Sequence, residues 1–574
     1  MRPRIIGNRA DYVHGNLTEW WRALPVGFEQ GFTIAKRPAG HGELTLTLTA
    51  NTPAERHGET LVWNKLRYGG LVVTDANGKV IPSKLETQGK RVLIAVNDAE
   101  ARYPLTVDPL VWLEQKVSAS DGQAGYAFGQ SVVLDGSTAV IGAPGATVNG
   151  NQYQGAAYVF SETGGIWSQT TKLAASDGTS GDEFGDAVAL EGNTTVIGAY
   201  DATVGGNTWQ GAAYVFKGSG GTWSQTAKLT ASDGAAFNFF GDAVALDGGT
   251  VVVGADSAAV GGNSNQGAAY VFTESGDTWS QTAKLTASDG AASDYFGDSV
   301  ALGGSAAMIG ADGATVGGNA SQGAAYVFTE SGGTWSQSAK LTASDGVAND
   351  WFGNSVAFDG TTALIGARYE TVGGNIDQGA AYVFGESGGT WSQTQKLTAS
   401  DGAEFDDFGW SVALAGGAAV IGAWDATVGA NDGQGAAYVF TKSGGAWSQT
   451  QKLVASDGAA YDQFGYSVAL AGTTALVGAY DATVNGNDEQ GAGYFYGQDN
   501  LDFAVSAPQT VGQGQTYVSQ TIATNNATAA SPAVSATVTV PAAASFVSAS
   551  ATQGSCSEAS GVVTCDFGAI SGNA

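Results

Sequence analysis

Residues 396–450 read KLTASDGAEFDDFGWSVALAGGAAVIGAWDATVGANDGQGAAYVFTKSGGAWSQT, and close copies of this stretch fill most of the chain. Its Phe-Gly pair occurs seven times, each 56 residues after the one before, at Phe128, Phe184, Phe240, Phe296, Phe352, Phe408 and Phe464. A fixed period indicates one supersecondary unit that is repeated and stacked. The repeat therefore decides the architecture, but it says less about function, because one fold can host many activities.

Each copy of the repeat predicts four short β-strands. SVAL and AVIGA are small and β-branched, AAYVF alternates, and the fourth segment begins with the Trp of WSQT. Gly-rich turns separate these segments, and none of them has a helical period. Four antiparallel strands per unit, repeated roughly four to eight times, are typical of a β-propeller.

The two ends of the array predict that the propeller is closed. The seventh copy reaches AGYFY at 492–496 without a following WSQT segment, whereas VWLEQKV at 111–117 precedes the first copy. If Trp112–Val117 completes the last blade, no sheet edge stays free. We therefore predict an all-β fold with a seven-bladed propeller at 111–497, closed by the strand 111–117. Alternating LTLTLT segments predict a separate small β domain at 1–110.

Charge and residue usage exclude several classes of function. Of the 24 Lys/Arg and 53 Asp/Glu, 14 and 11 fall in residues 1–110, which leaves 10 against 42 in the rest. Such an acidic surface repels phosphate, so we expect no nucleic-acid partner. The sequence has no run of about 18 apolar residues that could span a bilayer, so we expect no membrane insertion. The array contains neither His nor Cys, which excludes Ser-His-Asp and Cys-His catalysis and the usual zinc sites there.

The repeat resembles the FG-GAP repeat of the integrin α-subunit propeller, especially its bacterial version, over roughly 111–497. The Phe-Gly pair, the Ile-Gly-Ala segment and the spacing carry this resemblance. It implies an extracellular or cell-surface protein that binds a glycan or protein partner. The family's cation loops have a D-x-D-x-D-G-like run between the first and second strands, whereas the seven turns here read LDGST, LEGNT, LDGGT, LGGSA, FDGTT, LAGGA and LAGTT. They lack the six to eight or so oxygen ligands that calcium takes. We therefore expect no cofactor, and Ca²⁺ only at a site of another kind.

Residues 500–574 contain LDFAV, an NNAT turn and GSC followed by VTCDFG. With these motifs the segment is similar to bacterial Ig-like repeats of surface proteins, and we expect it to lack a final strand of that domain. We therefore expect an incomplete β-sandwich, and no signal segment is visible at the other end. Cys556 and Cys565 would flank a hairpin, so a disulfide between them is sterically reasonable, with two reduced thiols as the alternative. Two cysteines in an otherwise cysteine-free chain favour an oxidising compartment and hence a secreted or bacterial surface protein.

Two variable positions of the repeat are candidates for ligand binding. The residue after Phe-Gly and the residue after Ile-Gly-Ala are both acidic in the third and fourth copies and both aromatic in the sixth and seventh. We expect all of them at one end of the propeller. The acidic candidates are Asp242, Asp256, Asp298 and Asp312, and the aromatic candidates are Trp410, Trp424, Tyr466 and Tyr480. The alternative is that they are ordinary solvated loop residues.

Two further sets of Asp recur between the blades. The Asp of each SDG segment is expected to form a turn. An Asp five residues later gives weak candidates for a metal site, Asp294, Asp350 and Asp406, for which a loop hydrogen-bond network is the alternative.

We predict a recognition or adhesion module that is not an enzyme. The alternatives are a structural spacer that binds nothing and a carboxylate- or metal-dependent carbohydrate-active enzyme. The ESGGTW turn resembles the Asp-box turn of sialidase propellers. Sialidases bind their substrate carboxylate with several arginines, however, and the array has Arg368 alone.

Overall fold

The computed structural model describes residues 101–497 except 164 and 277. On either side it describes 4–6, 9–23, 28–38, 44–50, 53–57, 60–63, 66–99, 501–506, 520–525, 531–539, 555–559 and 562–570. The chain forms two compact units. One comprises Glu114–Ser161 and Ser168–Tyr496, and the other comprises Met1–Leu113, Glu162–Trp167 and Gly497–Ala574.

The repeats form seven antiparallel blades of a propeller: six are separate four-stranded sheets, and the seventh is four adjacent strands of an 11-stranded sheet. The strands of blade 1 are Val132–Asp135, Thr138–Ala143, Ala156–Thr163 and Ile166–Leu173. Those of blade 2 are Val188–Glu191, Thr194–Ala199, Ala212–Ser219 and Thr222–Leu229. Those of blade 3 are Val244–Asp247, Thr250–Ala255, Ala268–Ser275 and Thr278–Leu285. Those of blade 4 are Val300–Gly303, Ala306–Ala311, Ala324–Ser331 and Thr334–Leu341. Those of blade 5 are Phe352–Phe358, Thr362–Ala367, Ala380–Ser387 and Thr390–Leu397. Those of blade 6 are Val412–Ala415, Ala418–Ala423, Ala436–Ser443 and Ala446–Leu453. Blade 7 has Phe464–Ala471, Thr474–Ala479 and Ala492–Gly497, and Leu105–Val117 lies beside the last of these.

The hydrophobic core lies between neighbouring blades. First strands of adjacent blades contact one another, so they are the innermost. Between blades 1 and 2, the Phe184 ring packs edge-on against Tyr214 at 5.6 Å and Phe216 at 5.9 Å. Trp223 packs against the same cluster, as expected for a residue that fills the wider gap between blades. The same edge-on contacts recur in every blade, with Tyr496 in place of the second Phe in blade 7, which explains why these positions are always aromatic.

The seventh blade contacts the first through the same hydrogen bonds that join other neighbouring blades. The Ser467 hydroxyl donates to the Gly129 carbonyl at 2.7 Å, as Ser131 does to Gly185 at 2.8 Å. Asn487 donates to the Gly122 carbonyl at 3.4 Å, matching the Asn-to-Gly contact of the other blades. The array is therefore a ring of seven blades.

Leu105–Val117 takes the place of the missing outermost strand of blade 7. Lys116 pairs with Asp457 at 2.8 Å, as Lys172 pairs with Asp121 at 2.7 Å. Glu114, which is 2% exposed, accepts hydrogen bonds from Ser456 and Tyr496. The strand begins six residues before the predicted 111–117, and the side chain of Trp112 lies outside the described residues.

The second unit is also built from strands. Its N-terminal part contains Arg4–Ile6, Arg9–His14, Leu17–Ala23, Phe28–Ile34, Glu55–His57, Thr60–Trp63 and Leu66–Thr74, and a three-stranded sheet of Leu44–Thr49, Arg91–Val96 and Ser83–Gln88. A buried cluster that includes Phe32, Leu61 and Ile94 forms its core. In the described part of the chain, no helix is long and apolar enough to cross a membrane.

The C-terminal residues contribute two small sheets, Leu501–Ser506 with Gln520–Asn525, and Ser531–Thr539 with Val562–Ile570 and Ser555–Ala559. An Ig-like sandwich stays a prediction, because much of 500–574 lies outside the described residues. Cys556 and Cys565 are direct partners in the register of two antiparallel strands. Such pairs have Cα atoms about 4.5–5.5 Å apart, a separation that a disulfide can span. The disulfide itself stays a prediction, because these side chains also lie outside the described residues.

The contact between the first and seventh blades can be tested with one added methyl group. A Cβ on Gly129 would lie 2.4 Å from the carbonyl oxygen of Ala492 in blade 7, and a Cβ on Gly241 would lie 2.5 Å from that of Ala212 in blade 2. Both glycines also have φ near +100°. We expect Gly129→Ala and Gly241→Ala to lower the free energy of unfolding equally, by about 2 kcal/mol or more. Chemical denaturation measures this, and a much milder effect of Gly129→Ala would contradict a closed ring.

Candidate ligand-binding site at the propeller axis

The residues after Phe-Gly and after Ile-Gly-Ala meet at one end of the propeller, around its axis. The first of these residues enters the innermost strand and the second leaves the next strand, and the two strands are antiparallel. We call this group the axial site; it consists of Gln130, Pro144, Asp186, Tyr200, Asp242, Asp256, Asp298, Asp312, Asn354, Arg368, Trp410, Trp424, Tyr466 and Tyr480.

The predicted aromatic residues of blades 6 and 7 form one contiguous cluster. The Trp410 ring lies 5.1 Å from those of both Trp424 and Tyr466, and the Tyr466 ring lies 4.3 Å from that of Tyr480. All four side chains are half-buried. The reason is that they cover one another across the boundary between the two blades. Their outer surfaces still face solvent.

The predicted carboxylates of blades 3 and 4 also converge. Oxygen atoms of Asp242, Asp256 and Asp298 lie within 4.8 Å of one another. Asp312 differs from these three, because it is only 3% exposed and faces Arg368 of blade 5 at 3.6 Å. The structure thus separates three convergent carboxylates from a fourth that is engaged in an ion pair.

Arg368 joins the acidic and aromatic halves of the axial site. Its guanidinium lies 4.4 Å from the ring centroid of Trp351 and 4.7 Å from that of Trp410. A cation between two aromatic faces is stabilised by the quadrupole of each ring. Arg368 therefore orders the Trp410 side chain as well as neutralising Asp312.

Burial and mutual repulsion make the acidic half hard to ionise. Burial, followed by the charge of Glu183, raises the pKa of Asp186 to about 7. Burial raises the pKa of both Asp256 and Asp312 to about 6. Burial and then the neighbouring carboxylates raise the pKa of Asp242 and Asp298 well above the ordinary range. Near neutral pH, the site therefore holds fewer negative charges than carboxylates.

The convergent carboxylates are the residues best placed to hold a cation. Carboxylate oxygen is the ligand that hard cations such as Ca²⁺ and Mg²⁺ prefer. Within the described residues, Asp242, Asp256 and Asp298 are the one group of three acidic side chains that converges in this way. They supply fewer oxygens than the six to eight or so that calcium takes, so water or a ligand would complete the shell. A cation at this position stays a prediction.

The weak metal candidates have a structural role in separate loops. Asp294 accepts a hydrogen bond from the Ala291 amide at 2.7 Å, and Asp406 accepts one from Ala403 at 2.8 Å. Asp350 accepts the equivalent bond from Val347. Each carboxylate therefore caps its own turn, which is the hydrogen-bond network given as the alternative to a metal site.

The SDG aspartates also do more than form turns. Asp289 accepts hydrogen bonds from Lys340 at 2.6 Å and from the Tyr326 hydroxyl at 3.0 Å, and Lys340 lies over the Tyr326 ring. The corresponding Lys–Asp pair is present in all seven blades. These carboxylates are therefore part of the blade framework and not of the site.

One set of site residues escaped the sequence comparison. The residue before each Phe-Gly pair also reaches the axial site: Trp351 stacks on Arg368, and Asp407 accepts a 2.9 Å hydrogen bond from the Trp424 indole. In blade 2, Glu183 accepts a hydrogen bond from Tyr200 at 2.7 Å. This position varies among the copies as widely as the two chosen positions do, so the same comparison could have found it.

Comparison with known proteins agrees with this architecture. A family model described as FG-GAP repeat matches residues 112–160, 167–216, 223–272, 279–328, 335–384, 391–440 and 447–496. A search of the curated proteins finds no significant match.

The raised pKa of Asp186 predicts a pH-dependent gain in stability when its charge is removed. Since the folded state raises this pKa from its ordinary value near 4 to about 7, stability is full below pH 4 and is lost as the pH rises through 7. Asn keeps the oxygen that accepts a hydrogen bond from Gln130. We expect Asp186→Asn to match the unmodified protein at pH 4 and to be more stable at pH 8, by roughly 1–3 kcal/mol.

Asp289→Asn is the matched control, with the opposite sign. Although partial burial opposes it, the Lys340 hydrogen bond lowers the pKa of Asp289. Its contribution is therefore present near neutral pH and is lost as the pH falls through that lowered pKa. Because the side chain is 52% exposed, we expect a loss below about 1 kcal/mol at pH 7. Thermal unfolding between pH 3 and 8 checks both variants, and the same sign for both at pH 8 would contradict the assignment.

Proposed function

The chain belongs to the FG-GAP repeat family, and from this premise we propose that it is a recognition module that binds a glycan or protein ligand at the axial site. FG-GAP repeats are found in extracellular recognition and adhesion modules. That background and the cysteine usage support a secreted or bacterial cell-surface location, which is part of the proposal.

The observation that carries the proposal is the aromatic cluster beside the convergent carboxylates. The blade framework does not need these aromatic rings, because the equivalent positions in blade 1 are Gln130 and Pro144. Yet in blades 6 and 7 four large rings are kept half-exposed. Aromatic residues that are partly open to solvent and clustered are enriched at binding hot spots.

The chemistry of the axial site restricts its ligand. The aromatic rings offer apolar faces to a sugar ring or to an apolar side chain, and the carboxylates accept hydrogen bonds from hydroxyl, amide or amine groups. Arg368, the positive side chain of the site, is already engaged by Asp312 and two Trp rings. An anionic ligand would therefore meet carboxylates without a free positive partner. We infer that the ligand is neutral or positively charged, and we expect no nucleic acid among the partners.

Two alternatives have some support. The similarity of the copies to one another favours a structural spacer. Carboxylates of raised pKa beside carboxylates of lower pKa are also what general acid–base catalysis of glycoside cleavage requires. We retain binding without catalysis as the proposal, because the aromatic cluster has no role in a spacer and a binding function needs no assumption about catalytic geometry.

Removing the aromatic cluster tests the proposal. The full chain is applied to an array of glycans and matrix proteins beside the double variant Trp410→Ala/Trp424→Ala. We expect the variant to lose at least about tenfold in affinity, because two central aromatic contacts at a hot spot are each worth 1 kcal/mol or more. The double variant Trp410→Phe/Trp424→Phe keeps a ring at each position and is the control.

Three results would contradict the proposal. If the unmodified chain binds nothing on the array, the spacer alternative stands. If the Ala and Phe variants bind equally well, the ligand lies elsewhere. If the chain hydrolyses a glycan that it binds, and Asp242→Asn abolishes the hydrolysis, the protein is an enzyme.

A further inference from the structure

A second group of aromatic residues lies on the same face, across blades 2 and 3. Tyr200 of the axial site lies 5.8 Å from Phe239, Phe239 lies 6.2 Å from Trp209, and Trp209 lies 5.3 Å from Phe237, between ring centroids. We call these four residues the aromatic row. Exposure increases outward, because Tyr200 and Phe239 are half-buried whereas Trp209 and Phe237 are 41% and 53% exposed. The row thus leads from the axial site to the open surface.

Three of the four aromatic residues have a backbone conformation that disfavours large side chains. Trp209, Phe237 and Phe239 have φ of 55°, 64° and 54°. A left-handed conformation costs an L-residue roughly 1–2 kcal/mol. The equivalent residues of the other blades have the same left-handed backbone, and at two of the three positions some of them are glycine, namely Gly433 for Trp209, and Gly125 and Gly181 for Phe237. Neither exposed ring is buried enough to offset that cost by packing. The repeat therefore imposes the conformation, and glycine is the residue that adopts it at least cost.

The two loops that carry the row are fixed to each other before any ligand arrives. The Phe237 amide donates to the Thr208 carbonyl at 3.0 Å, and the Phe239 amide donates to the Trp209 carbonyl at 3.2 Å. The aromatic rings are therefore preorganised, which lowers the entropy cost of binding. These loop–loop bonds also occupy the backbone groups that a peptide strand would need for β-augmentation.

The charges around the aromatic row determine which ligands it can bind. Glu183, Asp186 and Asp201 lie at its inner end, and burial followed by the charge of Glu183 raises the pKa of Asp201 to about 6. The lysines of these blades are paired, for example Lys217 with Glu274 and Lys228 with Asp177. An anionic glycan or lipid headgroup would meet this negative potential with no unpaired lysine to offset it. A neutral sugar presents apolar ring faces to the aromatic rings and hydroxyl donors to the carboxylates.

We propose that the aromatic row binds a neutral oligosaccharide, which stacks on Phe237 and Trp209 and extends inward to Tyr200. This deepens the proposed function, on which it rests, by naming the class of ligand. It also adds binding residues outside the axial site.

The glycines of the other blades supply the variants. Trp209→Gly/Phe237→Gly gives blades 2 and 3 the residues already present at Gly433 and Gly181. It removes both exposed rings and the backbone strain together. We expect a melting temperature at least as high as that of the unmodified chain, and an affinity for neutral oligosaccharides lowered at least tenfold. Tyr153→Gly is the matched control, because Tyr153 is the equivalent of Trp209 in blade 1 and is 53% exposed. We expect it to leave binding unchanged.

The full chain and these variants are measured on an array of neutral hexaoses (gluco-, xylo-, manno- and chito-configured), with hexagalacturonate as the anionic comparison, and affinities are confirmed by calorimetry. Binding of a neutral hexaose that is lost in the double glycine variant, with no binding of hexagalacturonate, supports the proposal. Three results overturn it: no neutral hexaose binds, the double variant binds as well as the unmodified chain, or the double variant melts several degrees lower, which would show that the rings are structural.

The axial variant Trp410→Ala/Trp424→Ala separates this proposal from the one on which it rests. If that variant loses a protein ligand that the double glycine variant keeps, and no neutral hexaose binds the unmodified chain, the recognition function stands and the oligosaccharide row is wrong. If both variants lose the same hexaose, one ligand extends over both sites and both proposals stand.

Discussion

The close approach of each Phe-Gly glycine to the preceding blade is the contact on which the rest of the structure depends. A Cβ at Gly185 would lie 2.4 Å from the carbonyl oxygen of Ala156, and the glycine amide donates to Gly198 of its own blade. No side chain fits there, and φ near +100° excludes other residues. This contact sets the distance between blades while the adjacent Phe fills the space behind it. Seven copies of this contact then close the ring. The last blade differs only in its outermost strand, which Leu105–Val117 supplies.

This contact also positions the functional face. The residue after the glycine enters the innermost strand, so it always lies at the axis whatever its side chain, and the residues around the turn lie beside it. Framework and function are thereby uncoupled: the buried contacts of Phe184 with Tyr214 and Phe216 recur in every blade, whereas one turn can carry Gln130, Asp242 or Trp410. Side chains can diverge at these turns at little cost to the fold, which is the usual reason that loops on a rigid scaffold carry binding residues.

The sequence predicted the features that recur in all seven repeats. The number of blades, the four strands of each and the replacement strand could be read from the spacing, because seven copies reinforce one pattern. The grouping of Trp410 with Tyr466 and of Asp242 with Asp298 followed from antiparallel geometry alone. The ion pair of Asp312 with Arg368 could not be predicted, because it crosses a blade boundary through long side chains. Nor could the turn-capping role of Asp294, since an Asp that caps a turn and an Asp that binds a cation look alike in a sequence.

The unfavourable features of the propeller are concentrated on one face. The framework charges are paired, as Asp289 is with Lys340, and the framework aromatics are buried. On the face that carries the axial site, by contrast, carboxylates with raised pKa lie side by side, and Trp209 and Phe237 combine a left-handed backbone with exposed rings. Gln130 and Pro144 occupy the carboxylate positions in blade 1, and Gly433 and Gly181 occupy the Trp209 and Phe237 positions in other blades, so the fold itself does not require these side chains. Residues that are unfavourable for folding, at positions where the fold accepts other residues, indicate a role in binding something outside the chain. A ligand that covers the rings and shares the carboxylates would offset it.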